Sequence, residues 1–212
     1  MENQQIGLIL KRFLPFKNKI SILSKTNGKH NLITLPSNLS QKLWPGMIIE
    51  YKLIKNNNNN INMISNHINI ISTLTNITKQ NIKWLHNILE VSYYSLPLAS
   101  PAPEIFEILY LSIYLLDKQD IFNENFQIIK KVYFLKLINL LGISICENYD
   151  TYIKQLDIFS SIFIDISNEL KVESVKAALK KIDKKTQNNI DLLIKESIKN
   201  HPFSKNFKSI YF

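Results

Sequence analysis

Residues 47–54, MIIEYKLI, alternate between apolar and polar side chains and decide the class of the fold. Ile49, Tyr51 and Leu53 fall on one side of an extended chain, and the two charged residues between them fall on the other. Such alternation is typical of a β-strand with one buried face. The stretch therefore predicts a strand that covers a hydrophobic core.

Four further strands are predicted around this one. Residues 26–29, TNGK, carry the Asn-Gly signal of a tight hairpin, in which both central residues tolerate a positive φ. Five short strands, expected to pair antiparallel, suit a small closed barrel of the OB type, because closure leaves no strand edge exposed. The predicted strands are residues 6–14, 20–24, 31–35, 47–54 and 61–72.

From residue 76 onward the hydrophobic period becomes helical. Thr78 is a candidate N-cap for the first helix, residues 104–116 are apolar nearly all round, as in a buried helix, and Gly142 is expected just beyond the third helix. The face of the first helix that is expected to be buried comprises Ile82, Leu85, Ile88, Leu89 and Ser92. The predicted helices are residues 79–94, 104–116, 125–141, 151–166 and 173–200.

The predicted fold class is therefore α+β. An N-terminal five-stranded OB-type β-barrel is expected in residues 1–75, and an α-helical domain in residues 76–212.

The positive charge of the chain is unevenly distributed. The 212 residues carry a formal net charge of +9. Residues 1–78 hold nine basic and two acidic residues, a net charge of +7, and the remainder carries only +2. An AT-rich genome would enrich lysine evenly and would not deplete acidic residues from one segment. The asymmetry therefore favours a polyanion-binding surface in the strand-rich part.

Aromatic side chains lie among the early basic residues, at Phe13 and Phe16. Binding of a single-stranded nucleic acid combines cations for the phosphates with rings on which bases stack. The alternative is that these rings pack into the barrel core. The predicted nucleic-acid-binding residues are Lys11, Arg12, Lys17, Lys19, Lys25 and Lys29.

A second basic pair, Lys130 and Lys131, lies on an apolar helix. Such a pair can receive an acidic peptide with a hydrophobic end, and the alternative is an ordinary solvated helix face.

No residue pattern predicts catalysis. The four histidines are isolated from one another and from carboxylates at metal-ligand spacing, so neither a metal nor a cofactor is expected. Cys146 is the single cysteine, which excludes an intramolecular disulfide. The isolated glycines form neither a Walker nor a dinucleotide-binding motif. The polar N-terminus and the lack of ~18–20 consecutive apolar residues predict a cytoplasmic protein without membrane contact.

Several stretches, in order along nearly the whole chain, resemble the bacterial recombination mediator family RecO. The first three are similar to its opening strand, its next strand and its His-Gly-Lys hairpin. The later ones are similar to its Pro-Gly element before a strand, its helix that ends in Leu-Gly shortly before a cysteine, and its C-terminal Lys-Ser-aromatic stretch. These stretches are GLILKR (7–12), ISILS (20–24), NGK (27–29), WPGMIIEY (44–51), FLKLINLLG (134–142) with Cys146, and FKSIYF (207–212).

The resemblance implies an OB fold followed by helices, and a non-enzymatic mediator of DNA repair and recombination after DNA damage. Such a protein binds single- and double-stranded DNA, promotes strand annealing and helps to load recombinase on DNA coated with single-stranded-DNA-binding protein. The implied partners are RecR and the acidic C-terminal tail of that coating protein, in the bacterial, nucleoid-associated cytoplasm. Lys131 occupies the position of a basic residue that holds this tail, with Lys130 beside it.

Two departures from the family pattern accompany the resemblance. Residues 35–38, LPSN, replace the basic stretch that usually follows the third strand, which removes expected phosphate contacts. With Cys146 alone, the zinc module of many members is absent. The alternative functions are an OB-fold adaptor, or an RNA-binding protein, without annealing activity.

Overall fold

The structure is a computed structural model that describes residues 4–13, 18–34, 42–54, 62–73, 77–117, 126–143 and 182–207. Within these residues five strands come first and four α-helices follow, so the predicted α+β class is confirmed. The strands are β1 (Gln4–Arg12), β2 (Lys19–Ser24), β3 (Gly28–Thr34), β4 (Ile48–Ile54) and β5 (Asn62–Ser72).

The strands pair in the order β1-β2-β3-β5-β4, and β4 pairs with β1 to close the ring into a barrel. Four of the five pairings are antiparallel, but β3 and β5 run parallel, so the expectation of antiparallel pairing throughout was wrong. The reason is geometric. Strand direction cannot alternate all the way around a ring with an odd number of strands, so one neighbouring pair must be parallel.

The barrel interior is filled by aliphatic side chains from every side of the ring. The alternation predicted for β4 is confirmed, because Ile49 and Tyr51 are fully buried in the interior and Leu53 packs against it. Burial of such side chains is the main stabilising contribution to a small barrel. The fully buried residues of the interior are Ile9, Ile20, Ile22, Leu32, Leu43, Ile49 and Tyr51.

A β-bulge interrupts the ladder between β1 and β2. Ile9 pairs with Ile22, whereas Lys11 pairs with Ser21, so Leu10 has no partner residue in this ladder. A bulge of this kind adds one residue to one strand and changes which way the following side chains face.

The hairpin between β2 and β3 differs from the predicted tight turn. Ser24 pairs with Gly28, which leaves a loop of three residues. Gly28 has a φ of +67°, but Asn27 is not among the residues with positive φ, so the loop is not a two-residue Asn-Gly turn. The Ser24 hydroxyl accepts a hydrogen bond from the Asn27 backbone N–H at 3.0 Å. Three-residue hairpin loops commonly end in a left-handed residue of this kind.

Helices α1 (Lys79–Ser95) and α2 (Pro103–Asp117) cover the outside of the strands, with α1 packed on β1 and α2 on β2. The N-cap prediction is confirmed, because the Thr78 hydroxyl accepts from the Asn81 N–H at 3.3 Å. Ile82, which was expected on the buried face of α1, is 40% exposed. In α2, Tyr110 and Tyr114 are also exposed, so this helix is buried on one side rather than all round.

The chain forms two compact units, and the first comprises Met1–Asp117 with Lys205–Tyr211. The change from strands to helices falls near residue 76, where it was expected. The expected boundary between residues 1–75 and 76–212 nevertheless divides types of secondary structure rather than compact units, because α1 and α2 pack on the barrel strands.

The second unit, Lys118–Ser204 with Phe212, contains α3 (Phe126–Leu140) and α4 (Lys184–Lys199), which pack on each other. Gly142 follows α3 with a φ of +68°, as predicted for a residue just past a helix end. The predicted helix at 151–166 lies outside the described residues.

Helix α4 begins later than the sequence pattern predicted. The Asp183 carboxylate accepts from the Thr186 N–H at 2.7 Å, and Asp183 itself is extended, so it caps the helix. The predicted helix over 173–200 is therefore not continuous, although residues 173–181 lie outside the description. The chain also contains a 3₁₀ turn, Ser204–Asn206. Among the described residues, no helix is long and apolar enough to cross a membrane.

Candidate functional site

Five residues of the first unit form a group that we call the lysine–tyrosine cluster: Lys11, Phe13, Lys19, Lys29 and Tyr93. They come from β1 and the residue after it, from the starts of β2 and β3, and from the last turn of α1. In this cluster the ammonium groups lie against aromatic rings. The cluster therefore joins residues that are up to 82 positions apart in the sequence.

The β-bulge brings Lys11 to this side of the barrel. Lys11 pairs with Ser21, whose neighbours in β2 face the interior, and paired residues share a face of the sheet. Lys11 therefore faces outward, toward α1. Its Nζ lies 4.3 Å from the ring centroid of Tyr93 and 5.2 Å from that of Tyr94.

Lys19 and Phe13 face each other where β1 and β2 begin to separate. The Phe13 N–H donates to the Lys19 carbonyl at 3.2 Å, and Lys19 Nζ lies 5.1 Å from the Phe13 ring centroid. The Phe13 ring meets Tyr93 edge to face, with centroids 6.3 Å apart. Phe13 is half-buried in the lysine–tyrosine cluster and is not part of the barrel interior, which was the alternative for this ring. Phe16 and Lys17 lie outside the described residues.

Lys29 is the buried member of the cluster, with 8% of its surface exposed. Its Nζ donates to the Tyr93 carbonyl at 2.6 Å and lies 5.1 Å from the Tyr93 ring centroid. Burial lowers the pKa of this ammonium. Lys29 was predicted as a direct nucleic-acid contact, but in this position it anchors α1 to β3 instead.

The charge of the cluster is not balanced within the part of the chain that the structure describes. No carboxylate there forms an ion pair with Lys11, Lys19 or Lys29. Aromatic rings attract a cation through their quadrupole but carry no net charge. Three ammonium groups therefore share a small region and repel one another, and a bound anion would relieve this repulsion.

Arg12 lies apart from the cluster, at the end of β1. It pairs with Ile20, a residue of the barrel interior, so it faces away from the side that Lys11 occupies. Its guanidinium carbon lies 5.1 Å from the ring centroid of Trp44. The Trp44 side chain is large and apolar, yet the residue is 56% exposed.

Trp44 is a candidate site residue that the sequence reasoning missed. The available signal was its position in the Trp-Pro-Gly turn, residues 44–46, because Pro and Gly hold a turn outside the strands.

The remaining predicted nucleic-acid contact, Lys25, is neutralised. Its Nζ lies 2.6 Å from a carboxylate oxygen of Glu107, and both side chains are exposed. Exposed pairs of this kind contribute little to stability, about 0–1 kcal/mol, but they do reduce the local charge. Of the six predicted residues, the structure thus brings together Lys11, Lys19 and Lys29.

The two predicted partner-binding residues do not share a surface in the second unit. Lys130 is 4% exposed, its Nζ lies 5.3 Å from the Phe126 ring centroid, and burial lowers its pKa to about 8. Lys131 is half-buried and pairs with Asp191 at 2.6 Å. Consecutive helical residues point in different directions, so only Lys131 reaches the surface.

Polar residues inside the barrel form a hydrogen-bonded chain around His30. Its Nδ1 lies 3.1 Å from the Gly28 carbonyl and its Nε2 lies 3.2 Å from the Tyr51 hydroxyl. Tyr51 in turn donates to the Gln5 side-chain oxygen at 2.9 Å. Burial lowers the pKa of His30. Both ring nitrogens of this interior histidine therefore lie within hydrogen-bonding distance of a polar atom.

Groups of three or more potential metal ligands among His, Cys, Asp and Glu do not occur within the described ranges. Cys146 lies outside those ranges. No protein-family model matches the chain, and no curated protein matches it.

Proposed function

We propose that this protein is a non-enzymatic DNA-binding protein that brings complementary strands together during repair and recombination, as in the family RecO that its sequence resembles. The observation that carries the proposal is that Lys11 and Lys19, with the buried Lys29 beside them, lie against the rings of Phe13 and Tyr93 and form no ion pair with a carboxylate among the described residues. A phosphate backbone is the common cellular polyanion whose regularly spaced charges suit such a group.

The architecture of the first unit supports this proposal. A five-stranded barrel in the order β1-β2-β3-β5-β4, with one parallel pair, is compatible with the OB type. OB folds bind oligonucleotides through a strand face and its neighbouring loops. Lys11 and Lys19 lie on the adjacent strands β1 and β2.

The mechanism is charge neutralisation. Each lysine that contacts a phosphate releases a condensed counterion, and this release is the main driving force for binding at low salt. Two strands held against the same positive region repel each other less and can pair. Annealing of this kind needs no covalent step.

A partner site in the second unit is the second element of the proposal. Lys131 forms an ion pair with Asp191, so an acidic peptide tail would have to displace the Asp191 carboxylate and supply a carboxylate of its own. The tail of the single-stranded-DNA-binding protein has the required charge. RecR is the other proposed partner.

The test of DNA binding is fluorescence anisotropy with a labelled single-stranded oligonucleotide over a series of salt concentrations. The double variant Lys11→Gln/Lys19→Gln should weaken binding and reduce the slope of log affinity against log salt by about 1.4, the value for two lost phosphate contacts on a single strand. Lys79→Gln is the matched control, because Lys79 is exposed at the opposite end of α1. An unchanged slope in the double variant would contradict the proposal.

Strand annealing on oligonucleotides coated with single-stranded-DNA-binding protein then separates a mediator from an adaptor. A mediator accelerates annealing of coated strands, and an adaptor leaves the rate unchanged. Tighter binding of an RNA of the same sequence would favour the RNA-binding alternative.

A further inference from the structure

Trp44 plays no part in the DNA contacts proposed for the lysine–tyrosine cluster, yet two of its features point to a binding role. It is 56% exposed although tryptophan is among the most costly side chains to leave in water. It also lies within 5.1 Å of a guanidinium on the strand end.

The position of Trp44 is fixed from both sides of the residue. Its backbone N–H lies 3.4 Å from Met47 Sδ, and its carbonyl accepts from the Met47 N–H at 3.1 Å. In the same turn, the Gly46 N–H donates to the Ile9 carbonyl at 2.8 Å, which attaches the turn to β1. The backbone that carries the ring is therefore attached to the barrel.

Arg12 gives this exposed ring a charged neighbour. Its Nε is buried and has no hydrogen-bond partner among the described residues, and its guanidinium carbon lies near the Trp44 ring. An exposed aromatic face beside a cation suits a group that is both flat and negatively charged. Unpaired nucleotides have this combination, with a base for the ring and a phosphate for the cation.

We infer that Trp44 is a stacking platform for an unpaired base of single-stranded DNA, with Arg12 neutralising the adjacent phosphate. This inference rests on the proposed function. It explains how the protein would distinguish single-stranded from duplex DNA, because the bases of a duplex are stacked on each other and cannot offer their faces to Trp44. The lysine–tyrosine cluster, in contrast, contacts phosphates that both forms of DNA possess.

The chain allows a clean spectroscopic test, because its two tryptophans are Trp44 and Trp84. Trp84→Phe leaves Trp44 as the single tryptophan, and Trp44→Phe leaves Trp84. Titration with oligothymidylate of about 12 nucleotides, within the usual site size of an OB fold, should quench the fluorescence of Trp84→Phe and leave that of Trp44→Phe unchanged.

Affinity measured by anisotropy of labelled DNA supplies a second readout that does not depend on tryptophan. Trp44→Leu should weaken binding of the single strand roughly tenfold, the usual effect of losing one stacking ring, and should leave duplex binding unchanged. Trp44→Phe, which keeps a ring, should retain most of the affinity. DNA binding without quenching of Trp44, or an equal loss for single strand and duplex, would overturn the stacking inference alone. Absence of DNA binding by the unaltered protein would overturn the proposed function as well.

Discussion

The ammonium of Lys11 lies 4.3 Å from the centre of the Tyr93 ring, and the ammonium of Lys29 lies 5.1 Å from the same point. One tyrosine on α1 therefore positions two cations that come from different strands. The more buried of the two, Lys29, also donates to the carbonyl of that tyrosine. The last turn of α1 therefore helps to determine where the barrel carries the positive charges of Lys11 and Lys29.

Replacement of Tyr93 tests whether the ring preorganises this charge. Tyr93→Leu should weaken binding of single-stranded DNA by roughly two- to fivefold, the equivalent of one cation–π contact at a partly exposed site. The net charge does not change, so the salt slope should stay that of the unaltered protein. Tyr93→Phe is the control, because it keeps the ring, and it should bind normally. Equal losses in both variants would assign the effect to the hydroxyl.

Gly28 is expected to tolerate no side chain. Its φ is +67°, and a Cβ there would collide with the Ser100 carbonyl. Gly28→Ala should lower the free energy of unfolding by about 3 kcal/mol or more, since steric overlap adds to backbone strain. Gly142 has a similar φ of +68° but open space around it, so Gly142→Ala should cost roughly 1–2 kcal/mol.

Asparagine separates the two causes, because it tolerates a positive φ but still carries a Cβ. Gly142→Asn should recover much of the stability that Gly142→Ala loses, whereas Gly28→Asn should remain as unstable as Gly28→Ala. Urea unfolding followed by circular dichroism measures all four variants. Recovery at position 28 would show that strain, and not the Ser100 carbonyl, sets the cost.

His30 should make the stability of the protein depend on pH. Burial keeps its folded-state pKa below the ordinary value of 6.5, so the unfolded chain binds a proton first as the pH falls. Stability is therefore retained above pH 6.5 and lost as the pH falls from 6.5 toward the lower folded-state pKa. Between pH 7.5 and 5.5, the unaltered protein should lose more stability in urea unfolding than His30→Gln does. Parallel curves for the two proteins would contradict this role.

The Lys131–Asp191 pair predicts how the second unit responds to an acidic peptide. Asp191→Asn removes the competing carboxylate, so a labelled acidic peptide with an apolar end should bind up to about fivefold more tightly, as expected for a partly exposed ion pair. Lys131→Gln should abolish binding, and the double variant should not regain it. Tighter binding that persists in the double variant would place the peptide elsewhere.

Local patterns predicted the parts of the fold that depend on neighbouring residues. Alternation in β4 identified Ile49 and Tyr51 as interior residues, and a polar residue before a helical period identified Thr78 as a cap. Both signals arise within a few positions of the chain. Five strands could also be predicted from the sequence. A closed ring of five strands requires one parallel pair, but which two strands form it depends on contacts between distant parts of the chain.

The candidate site was predicted only in part, because its geometry is long-range. The alternation of basic and aromatic residues near the end of β1 identified Lys11, Lys19 and Phe13. No local pattern, however, places Tyr93 beside them. Likewise, the charge pattern along the chain could not show that Lys25 is paired with Glu107, 82 positions away. Burial of Lys130 also depends on how α3 packs, which the charge pattern does not report.

The unpaired Leu10 of β1 has an evolutionary consequence. In a ladder without the bulge, Leu10 would pair with Ser21 and Lys11 with Ile20, whose side chain fills the barrel, so a lysine would face the interior. The one extra residue thus separates a displayed charge from a buried one. We expect lineages of this protein to retain the bulge wherever they retain a basic residue at position 11.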